Sequence, residues 1–274
     1  MLHCMIQCQM DNSRSMELRK NMENDLQKAS IWKRISAAIF DGMLIALVAV
    51  GVAFLLSLAF DFDGQYEKLN AAYAKYEARY DTTFQVTAEQ YEAMTEEELA
   101  NYNAAYEALV SDEEAIQAYN MVINLMLLMT SVGILAGIVV MEFVIPLVFK
   151  NGQTLGKKIF GLCLMRTDGV RMNNMQLFAR TILGKFAIET MIPVYILILL
   201  YMNAADIFSL LLLASVVIAQ VVIVTVTRNN SLIHDLLAGT VVVDYASQKI
   251  FTSTQDLIEY QKRVAAERAA RQKY

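Results

Sequence analysis

Three carboxylates in this sequence stand inside long runs of apolar residues, namely Asp41, Glu142 and Glu189. A charged group at membrane depth costs several kcal/mol, so such residues are rare and usually face a polar interior or a partner. Carboxylates in a low-dielectric site have raised pKa values and can exchange protons for cations near neutral pH. They can equally form a buried salt-bridge network that fixes how helices pack. The sequence leaves both interpretations open.

Basic residues stand close enough in sequence to neutralise these carboxylates. Arg34 precedes Asp41 by seven residues, about two helical turns, so both side chains project from one helix face. Helices packed roughly 8–10 Å apart would bring the three carboxylates into one cluster. We expect Arg34, Arg180 or Lys185 to supply the counter-charges.

His234 and Asp235 follow the last apolar run, in a stretch too short to cross a membrane. We expect both at the inner interface, level with the carboxylates, where His234 acts as a proton acceptor or simply makes a hydrogen bond. Asp41 and Asp235 could form a catalytic aspartyl pair. Neither a His-Glu-x-x-His helix nor a Gly-x-Ser-x-Gly elbow occurs, however, and we expect no enzyme activity and no cofactor.

The connection 151–174 has glycines and paired lysines but fails the test for a phosphate-binding loop. That loop needs four residues between its glycines and Ser or Thr after the lysine, whereas Gly152 and Gly156 are three residues apart and Lys157 precedes Lys158. An amphipathic stretch at the membrane surface is the better interpretation, with Lys157 and Lys158 at anionic lipid headgroups. A small hairpin is then expected at 168–169.

The composition requires a membrane around these residues. Of 274 residues, 56% are hydrophobic and 19% are charged, and the apolar residues form long runs. About 20 apolar residues cross a bilayer, and four runs are long enough: 35–60, 119–149, 181–201 and 207–227. Residues 203–206 leave room only for a tight turn. The net charge of −5 implies no nucleic-acid partner, and His3, Cys4 and Cys8 are left unassigned as metal ligands.

Charge in the connecting segments predicts the orientation of the chain. Lys and Arg collect in the connection between the second and third runs and in the tail, which places both termini in the cytoplasm. The segment 61–117 instead has fourteen acidic residues against three basic ones, so it belongs outside.

The outer segment is predicted to be helical. Apolar and tyrosine side chains recur there at helical spacing in two stripes that we expect to pack on each other. Helix starts are predicted by capping boxes at Thr87, Thr95 and Ser111. This lobe either collects cations or docks a partner, or it is a solvated face over a tyrosine core.

The predicted fold is therefore all-α: a polytopic membrane protein with four transmembrane helices, an extracytoplasmic helical insertion between the first and second, and a basic cytoplasmic connection with a small hairpin. The predicted domains are a cytoplasmic arm (1–30), a membrane domain (31–244) interrupted by the insertion (61–117), and a cytoplasmic helical tail (245–274). Small residues at four-residue spacing, Ala38, Gly42 and Ala46, allow close helix approach within one chain or in a homodimer.

These residues resemble the RDD family of bacterial membrane proteins, named for one arginine and two aspartates. Arg34 and Asp41 stand in Lys-Arg-Ile-Ser-Ala-Ala-Ile-Phe-Asp, and Asp235 stands in Ser-Leu-Ile-His-Asp-Leu-Leu-Ala-Gly-Thr. The loop Gly-Gln-Thr-Leu-Gly-Lys-Lys-Ile-Phe-Gly is also similar, whereas the insertion departs from the family pattern. The resemblance implies a multi-pass protein of the bacterial cell membrane, with ligand transport or cation/proton antiport as suggested activities.

Two functional hypotheses follow. In the first, the protein transports a cation or small solute, with Asp41, Glu142 and Glu189 as ion or proton carriers. Arg34 is then the counter-charge, and the pair at 234–235 forms an inner gate. In the second, the protein is a non-transporting membrane scaffold that recruits a partner or anionic lipid. A transporter needs a water-accessible path to Asp41, whereas a scaffold can seal it.

Overall fold

The computed structural model of the chain describes residues 29–149, 151–201, 206–227 and 229–271. The predictions for residues 1–28, for the metal grouping at 3–8 and for the turn at 203–205 lie outside these ranges. The elements are α1 (Ile31–Ala59), α2 (Phe62–Tyr80), α3 (Ala88–Glu92), α4 (Glu96–Ser111), α5 (Glu113–Ile138), π1 (Val139–Val144), α6 (Ile145–Phe149), α7 (Leu155–Ile159), β1 (Leu162–Arg166), α8 (Asn174–Phe178), π2 (Ala179–Met191), α9 (Ile192–Tyr201), α10 (Ile207–Val226), α11 (Ile233–Ala238), β2 (Thr240–Asp244) and α12 (Thr254–Arg271).

The prediction of an all-α protein with four membrane spans is confirmed. Within the described ranges, four helical segments are long and apolar enough to cross a membrane: Ile31–Ala59, Glu113–Phe149, Asn174–Leu200 and Ile207–Val226. Their lengths of 20 to 37 residues meet or exceed the roughly 20 that a bilayer requires. The second and third spans contain the π-helical turns π1 and π2.

The chain divides into two compact units. Unit 1 comprises Met1–Ala46 and Gly137–Tyr274, and unit 2 comprises Leu47–Ala136. Unit 2 thus contains the whole acidic insertion, and all the residues singled out above for chemistry belong to unit 1.

Unit 2 contains a helical hairpin in which α2 and α4 pack together, as the two stripes predicted. Tyr76 and Leu109 are buried in its core, where Tyr73 and Phe84 pack against them. The capping boxes at Thr87 and Thr95 both form. The box predicted at Ser111 is wrong.

Asp112 takes the place of that box. The Ser111 hydroxyl donates to the Glu107 carbonyl in the last turn of α4, while Asp112 Oδ1 accepts from the amides of Glu114 and Ala115. Asp112 is free to do so because it lies between the two helices in extended conformation. Helix α5 then begins at Glu113 and leads directly into the second span, as predicted.

Unit 1 contains a two-stranded sheet that was not predicted from the sequence. The turn at 168–169 does form, with Gly169 at positive φ and its amide donating to the Arg166 carbonyl. Strand β1 nevertheless pairs antiparallel with β2, so Leu164 lies opposite Val242. The residues after the turn cannot supply a second strand because Asn173 already caps α8.

Two glycines of the second span allow close packing against α1. A Cβ on Gly137 would lie 2.6 Å from the Ile45 carbonyl oxygen in unit 1, and one on Gly133 would lie 2.7 Å from that of Ala49 in unit 2. These glycines therefore serve packing within one chain. A Cβ on Gly42, by contrast, would have nothing within 4 Å of it, so its face of α1 is open.

Candidate functional site

The two π-helical turns present the ionisable residues of the second and third spans. Glu142 belongs to π1, and Arg180, Lys185 and Glu189 belong to π2. Because Pro146 has no amide N–H, the Glu142 carbonyl loses its usual helical partner, and the Thr181 hydroxyl donates to it at 3.0 Å. Single-turn π-helical insertions such as π1 are frequent at functional sites.

Asp41 is buried, with 1% of its surface exposed, and it is bound by the N-terminus of α7 and its capping residue Thr154. Its carboxylate accepts hydrogen bonds from the Thr154 hydroxyl at 2.5 Å and from the Gly156 amide at 2.7 Å. The first turn of α7 can approach this closely because residue 156 is glycine: a Cβ there would lie 2.5 Å from the Ala37 carbonyl oxygen.

Glu142 is surrounded by three cations. Lys185 donates to one carboxylate oxygen, and the other lies 3.4 Å from Lys157 Nζ and 3.8 Å from Arg180 Nη1. Lys157 Nζ is also 3.9 Å from Asp41, so this lysine bridges the two carboxylates. Burial lowers the pKa of Lys157, while its acidic neighbours act in the opposite direction.

This geometry corrects the assignment of Lys157 to lipid headgroups. The side chain is buried and its ammonium contacts carboxylates. Lys158 is exposed, and its ammonium lies 3.9 Å from the centre of the Phe149 ring. A helix presents successive residues in different directions, so only the second lysine stays available to anionic phosphates.

Asp235 is fully buried between two arginines. Arg180 Nε donates to Oδ1 at 3.0 Å, and Arg34 Nη2 donates to Oδ2 at 3.3 Å. Burial would raise the pKa of Asp235, but Arg180 and Arg34 outweigh it and hold that pKa at about 2. Arg34 thus neutralises Asp235 rather than Asp41, although it shares a helix with Asp41.

His234 connects Arg180 to Glu189. Arg180 Nη2 lies 2.8 Å from His234 Nε2, and because an arginine can only donate, Nε2 must accept. The ring proton is then on Nδ1, which donates to Glu189 Oε2 at 2.6 Å. Burial lowers the pKa of His234, and Arg180 lowers it further, so the ring is neutral near pH 7.

Together these side chains form one network, which we call the charged cluster. It consists of Arg34, Asp41, Glu142, Lys157, Arg180, Lys185, Glu189, His234 and Asp235. In the described part of the chain it holds four carboxylates and four basic groups, so its net charge is zero with His234 neutral. The structure therefore brings all the predicted site residues except Lys158 into one place.

A cavity of about 340 Å³ opens onto the cluster. Seven of the nine cluster residues line it, and aliphatic side chains from α1, α10, β1 and β2 complete the wall. Asp41 and Asp235 are not among its lining residues and lie behind it. The cavity is at the lower end of the usual size range for small-molecule sites, about 300–1,000 Å³.

Sequence reasoning missed the role of Thr154 and the first turn of α7, which belong to the family-like loop 152–161. Thr154, Gly156 and Lys157 lie more than 100 residues from Asp41 in sequence, and no local pattern pairs them with it. The loop's similarity to the family segment was the one available signal. Among the described residues, no group of three or more His, Cys, Asp or Glu side chains could hold a metal ion.

Comparison with known proteins shows the family to which the chain belongs. No curated protein and no solved structure matches the chain. The model of the RDD family matches residues 28–239, which is more than three quarters of the chain and includes all nine residues of the charged cluster. The chain therefore belongs to the RDD family of membrane proteins.

Proposed function

We propose that this protein transports a small solute across the cell membrane in exchange for, or together with, a proton. The observation on which the proposal rests is the cavity in unit 1, which charged side chains line among helices apolar enough to cross a membrane. Charged groups at such depth are expensive, and a solute path is one of their established uses.

Glu189 is the best candidate for the proton carrier. It lines the cavity, and its hydrogen-bond partners in the described chain are neutral: the backbone amide and ring of His234, and the side chain of Gln220. The other three carboxylates of the cluster each contact at least one lysine or arginine. When a carboxylate without a cationic partner is protonated, no ion pair is lost, so its protonation costs less free energy than that of the other three.

Asp41 is better suited to holding the structure together than to carrying ions. It is almost completely buried, it is hydrogen-bonded by Thr154 and by Gly156 of α7, and it does not line the cavity. We therefore assign the carrier role to Glu189 and a structural role to Asp41. Because the cluster is already neutral, the geometry favours a solute over a bare cation.

The second candidate function, a non-transporting scaffold, is supported by the burial of Asp41 away from the cavity and by the completeness of the ion pairs. Asp235 and Glu142 have no carboxylate oxygen left without a partner in the described chain. Such a network can serve solely to fix helix packing. In this case Lys158 and the exposed face around Gly42 would contact anionic lipid and a second copy of the chain.

The proposal includes the orientation given by the basic residues, with both termini in the cytoplasm. It also includes the absence of enzymatic chemistry, because the carboxylates of the cluster are occupied by hydrogen bonds and ion pairs rather than poised at an open reaction site. The orientation is tested by introducing and labelling a cysteine at Ser253, in the tail, and at Asn103, in the insertion.

Proteoliposomes that contain a pH-sensitive dye test the transport proposal. A panel of small solutes is added outside, and the internal pH is followed for the wild type, Glu189→Gln and Glu259→Gln. Glu259 is an exposed residue of α12 and serves as the matched control. We expect solute-driven pH changes in the wild type and the control, and their loss in Glu189→Gln. The absence of pH changes with every solute would favour the scaffold.

A further inference from the structure

The cavity wall has an unequal distribution of charge. Four basic residues line it, Arg34, Lys157, Arg180 and Lys185, against two carboxylates, Glu142 and Glu189. The charged cluster as a whole is neutral, but Asp41 and Asp235 lie behind the wall. A molecule inside the cavity therefore faces an excess of positive charge at short range.

Lys185 has donors to spare. Its ammonium group has three N–H donors, and in the described part of the chain its side chain bonds only to Glu142. It is also the most exposed of the four basic side chains, at 24% against 13% for Arg34, 11% for Lys157 and 3% for Arg180. Lys185 is thus the group best placed to meet a hydrogen-bond acceptor that enters the cavity.

A cation finds no equivalent position. Glu142 already has three basic neighbours, and a bound cation would have to displace one of them. Glu189 is the remaining carboxylate of the wall, and it accepts from both the backbone amide and the ring of His234. Both the excess of positive charge on the wall and the spare N–H donors of Lys185 therefore favour an anion.

Apart from Asn230 and His234, the rest of the wall is aliphatic. Ile31, Ile35, Leu162, Val224, Leu232 and Val242 provide it, so an apolar group buried there gains the usual hydrophobic free energy. At about 340 Å³ the cavity has room for a small molecule, but it lacks room for the two acyl chains of a phospholipid. A molecule with one charged end and a short apolar body can contact both the charged and the aliphatic residues of the wall.

We propose that the cavity binds small organic anions, in which an oxyanion such as a carboxylate or phosphate is attached to a short apolar body. The oxyanion contacts Lys185 and Arg34, and the apolar body lies against the aliphatic wall. This inference rests on the proposed function, whose solute it defines by chemical class.

Binding to the full-length chain in nanodiscs of neutral phosphatidylcholine tests the inference by calorimetry. The probes are two matched pairs, phenylacetate against phenethylammonium and hexanoate against hexylammonium. We expect at least one anion to bind and each cation to bind more weakly than its partner. Binding of neither anion, or equal or tighter binding of the cations, would overturn the inference.

The matched variants are Lys185→Gln and Lys158→Gln. Loss of a charged hydrogen bond is worth about 1.5–3 kcal/mol, so Lys185→Gln should weaken anion binding by about tenfold to a hundredfold. Lys158 is exposed and does not line the cavity, so its variant should bind as the wild type does. Unchanged binding in Lys185→Gln would exclude the proposed contact. If that variant does not fold, the comparison of anion and cation binding to the wild type tests the inference.

A lipid headgroup could supply the same oxyanion. Nanodiscs with phosphatidylglycerol distinguish the two sources. If a headgroup occupies the cavity, it will prevent binding of the free anion, and that result would overturn the inference for a soluble ligand.

The proteoliposome experiment separates this inference from the proposed function. Anion binding without proton movement would contradict the transport proposal and leave the anion site standing. Proton movement driven by organic cations would support the transport proposal and contradict the proposed anion site.

Discussion

The two units of this protein use charged residues in opposite ways. In unit 1, Asp41, Glu142 and Asp235 are at most 1% exposed, and each is bound by partners from other elements of the chain. In unit 2, the fourteen acidic residues of the insertion lie at the surface, twelve of them exposed and two, Glu77 and Asp112, half-buried. Their side chains bond mainly to residues close in sequence.

This difference follows from the cost of burying charge. A solvated carboxylate needs no counter-charge, so the insertion can be strongly acidic and still pack a tyrosine core. A buried carboxylate must be paired and hydrogen-bonded, so Asp41, Glu142 and Asp235 each need basic residues from distant positions in the chain. The buried charges of unit 1 should therefore determine stability, whereas the charges of unit 2 that lie outside the helix caps should be individually replaceable.

Removal of the Glu142 charge should give the largest effect. Glu142→Gln leaves Lys157, Arg180 and Lys185 buried around a neutral amide, and breaking a buried pair in this way costs about 3–5 kcal/mol. The free energy of unfolding in mixed detergent micelles measures the loss.

The matched change in unit 2 is Glu107→Gln, at an exposed position of α4. It should alter the free energy of unfolding by less than about 0.5 kcal/mol. Similar effects of the two substitutions would contradict the contrast between the units.

A smaller loss is expected when a methyl group is added at a closely packed glycine of unit 1. A Cβ on Gly184 would lie 2.6 Å from both Cα and Cβ of His234, so Gly184→Ala must push α11 away from π2. Overpacking of this kind costs about 1–3 kcal/mol. Thermal unfolding should show a lower midpoint for this variant.

Gly42→Ala is the control, because nothing lies within 4 Å of the added methyl group. Alanine is favoured over glycine in a helix by about 0.5–1 kcal/mol, so this variant should be at least as stable as the wild type. An unchanged midpoint for Gly184→Ala would show that α11 can shift without cost.

The smallest effect should come from a helix cap in unit 2. Thr95 accepts a hydrogen bond from the Glu98 amide at the start of α4, and Thr95→Ala should cost about 1 kcal/mol. Hydrogen exchange should accelerate in α4 and remain unchanged in α11.

Thr95→Ser retains the hydroxyl and should exchange as the wild type does. Faster exchange in the serine variant would mean that the Thr95 methyl group, rather than the cap, protects the helix.

Local patterns predicted much of this fold. The four spans follow from apolar length, and the caps at Thr87 and Thr95 follow from a hydroxyl three residues before an amide or carboxylate side chain. The pairing of β1 with β2 did not follow, because the two strands are more than 70 residues apart and the turn at 168–169 offered a closer partner. The burial of Lys157 was missed for the same reason, since its carboxylates come from other helices.

The sequence alone determined that the chain lies in a membrane, which residues are too costly to bury without a partner, and that the insertion is acidic and helical. These properties depend on composition and on spacing within a few turns. The tertiary structure decided which charge neutralises which, that Arg34 binds Asp235 instead of Asp41, and that Asp41 lies behind the cavity while Glu189 lines it. These ion pairs are short-range contacts between residues distant in sequence, so the partners come within reach of each other only when the helices pack.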